Sequence, residues 1–228
     1  MIKHPLADGG ARTAPVHGLM VHSTGDGIPR EAVKRGETLT QTAIDVYGNM
    51  GTVGPHYCIS PNGDVVQFRE VNRIAHHCKQ EHRREFLDGS WETDYNRLSR
   101  TVVDWWKARW PGVKSPAHLY PGVRPNDVYI GVELIPAGTY TKSAAGSTNW
   151  TPFPDHADHI PGRAQRYTIE QYLALARLIV SLGLSPDQLV GHEDVEPYNR
   201  GGYDPGAYHG WFSWPLINGL VTEFTKDK

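Results

Sequence analysis

The sequence predicts an α/β domain: a single mixed β-sheet flanked by helices, with an insertion near residues 80–126. Short apolar runs of strand length, such as VHGLMVH and VYIGVELI, are interspersed with longer amphipathic stretches at uneven spacing. No internal repeat or low-complexity tract is visible, which sets aside solenoid architectures. Gly and Pro, at 24 and 17 of 228 residues, interrupt the chain with many loops around that scaffold.

Val16–His22 reads as a short strand closing at His22. Within Arg30–Gly51, ETLTQTAIDVYGNMG reads as a helix stopped by Gly48 and Gly51. The clearest hairpin is HYCISPNGDVVQF, with strands at His56–Ile59 and Val65–Phe68 around a Pro-Asn-Gly turn. NRIAHHC follows as a short strand or extended segment. TVVDWWKARWPG suggests a helix inside the insertion, which is expected to pack on the main domain. Val128–Ile135 reads as a buried strand and residues 136–166 as a long loop. Thr168 caps a helix whose apolar face carries Ile169, Tyr172, Leu173, Leu175, Ala176, Ile179 and Leu182, and Gly183 ends it. Leu189–His192 is a short strand that opens into a polar loop, and residues 211–224 form a closing helix.

Apolar residues at 39% and charged residues at 21% specify a globular chain with a core. A formal net charge of −2 supplies no field for a polyanion, so nucleic acid is not an expected partner. No apolar run is long enough to cross a membrane as a helix, and no signal peptide is visible at the N-terminus. Two cysteines, Cys58 and Cys78, are too few for a disulfide framework; one bridge or two buried thiols both fit. A monomer is expected.

Among twelve histidines, position discriminates. His22 and His192 each end an apolar strand and open a polar loop, where ligand sites of open sheets collect. A lone histidine there is more often a hydrogen-bonded structural residue. Catalytic zinc takes three protein ligands and leaves a position for water, so a third donor is required. Asp204, in the turn YDPG, is a candidate, although spacing alone favours an ordinary turn aspartate. Glu133 interrupts the apolar strand VYIGVELI. Either strand alternation turns it to solvent, or it is retained for a function such as general base beside a metal. Cys58 or Cys78 as a nucleophile is a further reading, although Cys58 sits in a strand and packing explains it more simply. No HExxH helix is present.

Six blocks in order resemble the type 2 N-acetylmuramoyl-L-alanine amidase family: VHST at 21–24, GPHYCISPNGDVVQF at 54–68, RIAHHC at 73–78, IGVEL at 130–134, YTIEQYLALARLIVSLG at 167–183, and GHEDVEP at 191–197 followed by YDPG. The resemblance implies a zinc enzyme that cuts peptidoglycan between N-acetylmuramic acid and L-alanine. It maps the ligands of one zinc ion to His22, His192 and Asp204 and the general base to Glu133. It maps His76 to the histidine beside the substrate cleft, and His56, at the head of the hairpin, is carried with it as a substrate-side residue. Pro55 stands where some members have a catalytic tyrosine, so Tyr57 does not inherit that role. Gly202 stands where the family often has a lysine, leaving Arg200 as the nearest cation for the scissile carbonyl. The implied substrate is peptidoglycan or a muropeptide, and the implied place of action is the cell wall, reached by phage release or export, with cytoplasmic recycling as the alternative. Rival readings are a peptidoglycan-binding module that does not cut and a zinc peptidase acting on the stem peptide.

Overall fold

The computed structural model describes residues 1–24, 27–78, 124–136, 138–142, 148–152, 167–195 and 212–226. The strands are β1 (Ile2–Lys3), β2 (Gly18–Ser23), β3 (Tyr57–Ile59), β4 (Val65–Gln67), β5 (Tyr129–Leu134), β6 (Gly138–Lys142), β7 (Thr148–Pro152) and β8 (Leu189–Gly191). The helices are α1 (Gly27–Arg35), α2 (Leu39–Gly48), the single turn α3 (Pro125–Val128), α4 (Ile169–Ser181), the single turn α5 (His192–Val195) and α6 (Trp214–Lys226).

The main sheet has six strands in the order β1-β4-β3-β5-β2-β8. It is mixed, as expected. β3, β5, β2 and β8 run parallel, and β4 runs antiparallel to β3. Period-two alternation then sorts the side chains between two faces. Leu19, Val21, Tyr57, Ile59, Ile130, Val132, Leu134 and Leu189 join one apolar cluster with α4 and α6. The intervening positions Met20, Tyr129 and Val190 pack in a second cluster, and Cys58 and Val66 in a third under α1 and α2.

Helix α4 is held where the parallel strands end. Thr168 caps it by accepting from Gln171 N, and Gln171 Oε1 accepts from Thr168 N at 3.1 Å, closing a capping box. The same Gln171 donates to Ile59 O at 3.0 Å and Ile135 O at 2.8 Å. Its apolar face, Tyr172, Leu175, Ala176 and Ile179, is at most 1% exposed. Full burial of a large apolar side chain is worth about 1.5–3 kcal/mol.

Several elements differ from the sequence expectation. The single helix of the 37–51 stretch is preceded by a second one, α1, which carries a proline near its start and buries Ile28 and Ala32 one turn apart; Gly36, at φ +67°, separates the pair. Within the expected 136–166 loop, β6 and β7 form an antiparallel hairpin. GTYTK and TNWTP alternate Thr with an aromatic residue, a β signal outweighed by the surrounding Gly, Ser and Pro. The edge strand β1 is two residues long, too short to carry a pattern. NRIAHHC makes isolated bridges, Ala11 with Arg73 and Val53 with His76. The closing helix begins at Trp214. The expected helix of the insertion lies outside the described residues. No helix among the described residues is long and apolar enough to cross a membrane.

Candidate metal and active site

The sheet register builds the site. His22 on β2 is the Cα partner of Glu133 on β5, and Glu133 is the partner of Cys58 on β3. On the other side, Val21 pairs with Gly191, so His192 follows β8 one step beyond the last pair. Adjacent strands lie about 4.8 Å apart, so Cys58, Glu133, His22 and His192 form one row across four strands, at the carboxyl ends of the parallel ones. His192 also opens the turn α5, correcting the expectation of a loop immediately after the strand. Buried Asp194 accepts from Gly191 N at 2.8 Å and fixes that turn.

The two histidines meet. His22 Nδ1 and His192 Nδ1 are 2.8 Å apart, and both side chains are buried. A third histidine settles their protonation. His77 Nε2 lies 3.2 Å from Tyr129 O and can only donate to that carbonyl. Its Nδ1, 2.8 Å from His22 Nε2, is then an acceptor. The network therefore assigns the His22 proton to Nε2 and a lone pair to its Nδ1, the atom facing His192. Burial first, then the neighbouring His56, His192 and Arg12, lowers the His77 pKa well below its ordinary value, in the direction that favours the neutral ring. A ring nitrogen bearing a lone pair, aimed at a second ring nitrogen and backed by an outer hydrogen bond, is a donor arrangement that suits zinc. Among the described residues no set of three His, Cys, Asp or Glu side chains converges for a metal. His22 and His192 supply two donors; Asp204, and with it Arg200, lies outside the described residues.

Glu133 faces the opposite way from Val132 and Leu134, as alternation requires, and the face it reaches is a cleft rather than open solvent. That cleft, about 460 Å³, is lined by Thr24, Ile28, Tyr47, His76, His77 and Glu133 among others. Glu133 Oε2 itself is buried. His76 lies in the cleft wall, and Gly9 makes room for it: a Cβ there would come within 2.5 Å of His76 Nε2. Buried Arg69 braces the adjoining segment, which is bridged to His76 through Val53, by donating to Gly51 O, Val53 O and Pro55 O.

His56 is placed differently from the expectation. Its side chain is 0% exposed and it does not line the cleft. Nδ1 accepts from Gly131 N at 3.0 Å and Nε2 donates to Arg73 O at 2.9 Å. It sits two residues below Cys58 along the sheet and holds the hairpin to β5, a structural role in place of the substrate contact. Tyr57 turns to the helix-covered core, away from the site, where burial pushes its phenol up to about 12. Cys58 and Cys78 are both buried thiols, not bridged to each other. Burial, then the Glu133 charge, pushes the Cys58 thiol well up, the reverse of what a nucleophile needs.

Sequence reasoning missed His77. Its signal was Gly131, a glycine inside a strand, which marks a close approach. A Cβ at Gly131 would lie 2.4 Å from the His77 ring.

The sequence matches the N-acetylmuramoyl-L-alanine amidase family over residues 12–207. No curated protein sequence matches the chain. Among solved structures it is similar to AmpD, at 20% identity and a TM-score of 0.48, covering 97% of this chain and 94% of that one. It is similar to AmiD from E. coli, at 19% identity and a TM-score of 0.44, covering 92% of this chain and 60% of that one. It is also similar to LysC from Clostridium intestinale URNW, at 14% identity and a TM-score of 0.43, covering 97% and 96%. The family match spans most of the chain and takes in His22, Glu133, His192 and Asp204, and this chain belongs to the N-acetylmuramoyl-L-alanine amidase family.

Proposed function

We propose that the chain is a zinc-dependent, cell-wall lytic amidase that hydrolyses the bond between N-acetylmuramic acid and the first L-alanine of the stem peptide. The observation that carries this reading is the pair of facing Nδ1 atoms of His22 and His192, 2.8 Å apart, one strand from a glutamate in the cleft. His22, His192 and Asp204 would hold the zinc. Bound there, zinc supplies a Lewis acid for the carbonyl and water acidified towards neutral pH.

Glu133 accepts the proton of the attacking water and returns it to the alanine nitrogen as the amide breaks. One water is consumed, leaving a lactyl carboxylate and a free amine. Arg200 and His76 are assigned to the oxygen on which charge develops, a kind of stabilisation that is often the largest catalytic contribution. The cleft walls, Tyr47 on α2 and the braced 51–55 segment, orient the peptide side of the substrate.

Incubation with peptidoglycan sacculi, with and without a chelator, tests the proposal by mass spectrometry of the products. Release of intact stem peptides with free alanine amines, abolished by chelator and restored by zinc, is expected. Binding without release would make the chain a recognition module, and products cut within the stem would make it a peptidase.

A further inference from the structure

The two donor histidines are each held from behind by one of two consecutive residues. His22 Nε2 is 2.8 Å from His77 Nδ1, and His192 Nε2 is 3.6 Å from Cys78 Sγ. One short stretch thus reaches two ligands, one on β2 and one just after β8. That stretch is itself clamped. Buried Asn126 Oδ1 accepts from His77 N at 3.1 Å and Cys78 N at 2.9 Å, and its Nδ2 donates to Cys78 O at 2.8 Å. Asn126 belongs to α3, which runs directly into β5, the strand of Glu133. Gly131 on β5 leaves the space that the His77 ring fills.

We propose that His77 and Cys78 are paired positioning residues for the metal. With zinc bound, His77 would accept the Nε2 proton of His22 and Cys78 sulfur the Nε2 proton of His192, so that both Nδ1 lone pairs are directed into the site; in the metal-free chain His192 Nδ1 instead donates to His22 Nδ1. The inference rests on the zinc reading above and deepens it. It assigns Cys78 a role in the protonated, reduced form that involves no nucleophilic step. Because Asn126 ties the His77–Cys78 backbone to the root of β5, the same framework sets ligand orientation and the placement of the glutamate.

The test measures zinc affinity by competition with a chromophoric chelator, alongside nitrogen-15 spectra of the histidine rings in the zinc-loaded chain. His77→Leu should weaken zinc binding by about 10- to 100-fold, the usual cost of losing an outer partner of a ligand. His77→Asn, which restores an acceptor at the Nδ1 position, should recover most of it. Cys78→Ala should weaken binding less, because sulfur is a weak acceptor. In the wild type, His22 and His192 should both carry protons on Nε2, and His77 should carry none on Nδ1.

A folded His77→Leu chain that binds zinc as tightly as the wild type would overturn the proposal. So would a spectrum of the zinc-loaded wild type with either ligand protonated on Nδ1, a result that does not depend on any variant folding. A wild-type chain that takes up no zinc would overturn the metal reading and this inference together. Zinc uptake with unaffected variants would overturn the inference alone.

Discussion

Glu133 shows how a single residue acquires its role from its neighbours. Its side chain is flanked in register by His22 on one side and Cys58 on the other, and it lines the cleft. Glu133→Gln keeps the shape and removes the basic oxygen. Turnover is expected to fall by about 10²- to 10⁴-fold, the range for a lost general base, while bound zinc stays at the wild-type level. Parallel rate and metal assays check this, and an unimpaired rate would remove Glu133 from the mechanism. His56 is the counter-example. Its type and its position before the hairpin suggested a substrate contact, yet two backbone partners use both of its ring nitrogens.

At the scale of elements, α4 governs how the ends of β3 and β5 are held. Gln171 is 0% exposed and its amide satisfies the carbonyls of Ile59 and Ile135, the residues that end or follow those strands. Gln171→Leu conserves bulk, removes the amide donor from the Ile135 carbonyl and leaves the Ile59 carbonyl with Ile135 N. The expected cost is about 1–3 kcal/mol, with a lower urea midpoint and an unchanged slope. A midpoint equal to wild type would show that water replaces the amide. The helix and its capping residue were legible in the sequence, because the apolar period and Thr168 are local signals. The role of Gln171 was not, because its partners lie 112 and 36 residues away along the chain.

At the scale of the whole molecule, burial of neutral imidazoles couples stability to pH. Desolvation, with smaller contributions from Arg12 and Arg69, lowers the His56 pKa from 6.5 to about 3. The unfolded chain therefore binds a proton that the folded chain refuses between those values. The contribution of His56 is complete above pH 6.5 and is lost progressively as pH falls towards 3. Urea unfolding of the wild type should show declining stability over that interval, and His56→Gln, although less stable at neutral pH, should show a shallower decline. Equal slopes would assign the acid sensitivity to other groups.

The sequence by itself determined the α/β class, the hairpin, the long amphipathic helix and the family, because these depend on local period, turn chemistry and the order of short motifs. It also singled out His22, Glu133 and His192, since a polar residue inside an apolar strand or at its end stands out without any knowledge of its neighbours. Only the tertiary structure decided that His22 and His192 share a gap of 2.8 Å, that His77 rather than His56 backs the site, and that Cys78 stands behind His192. Those contacts join residues 55 to 170 positions apart, and sheet register brings them together. Register is a property of paired strands, so no local stretch of the sequence contains it.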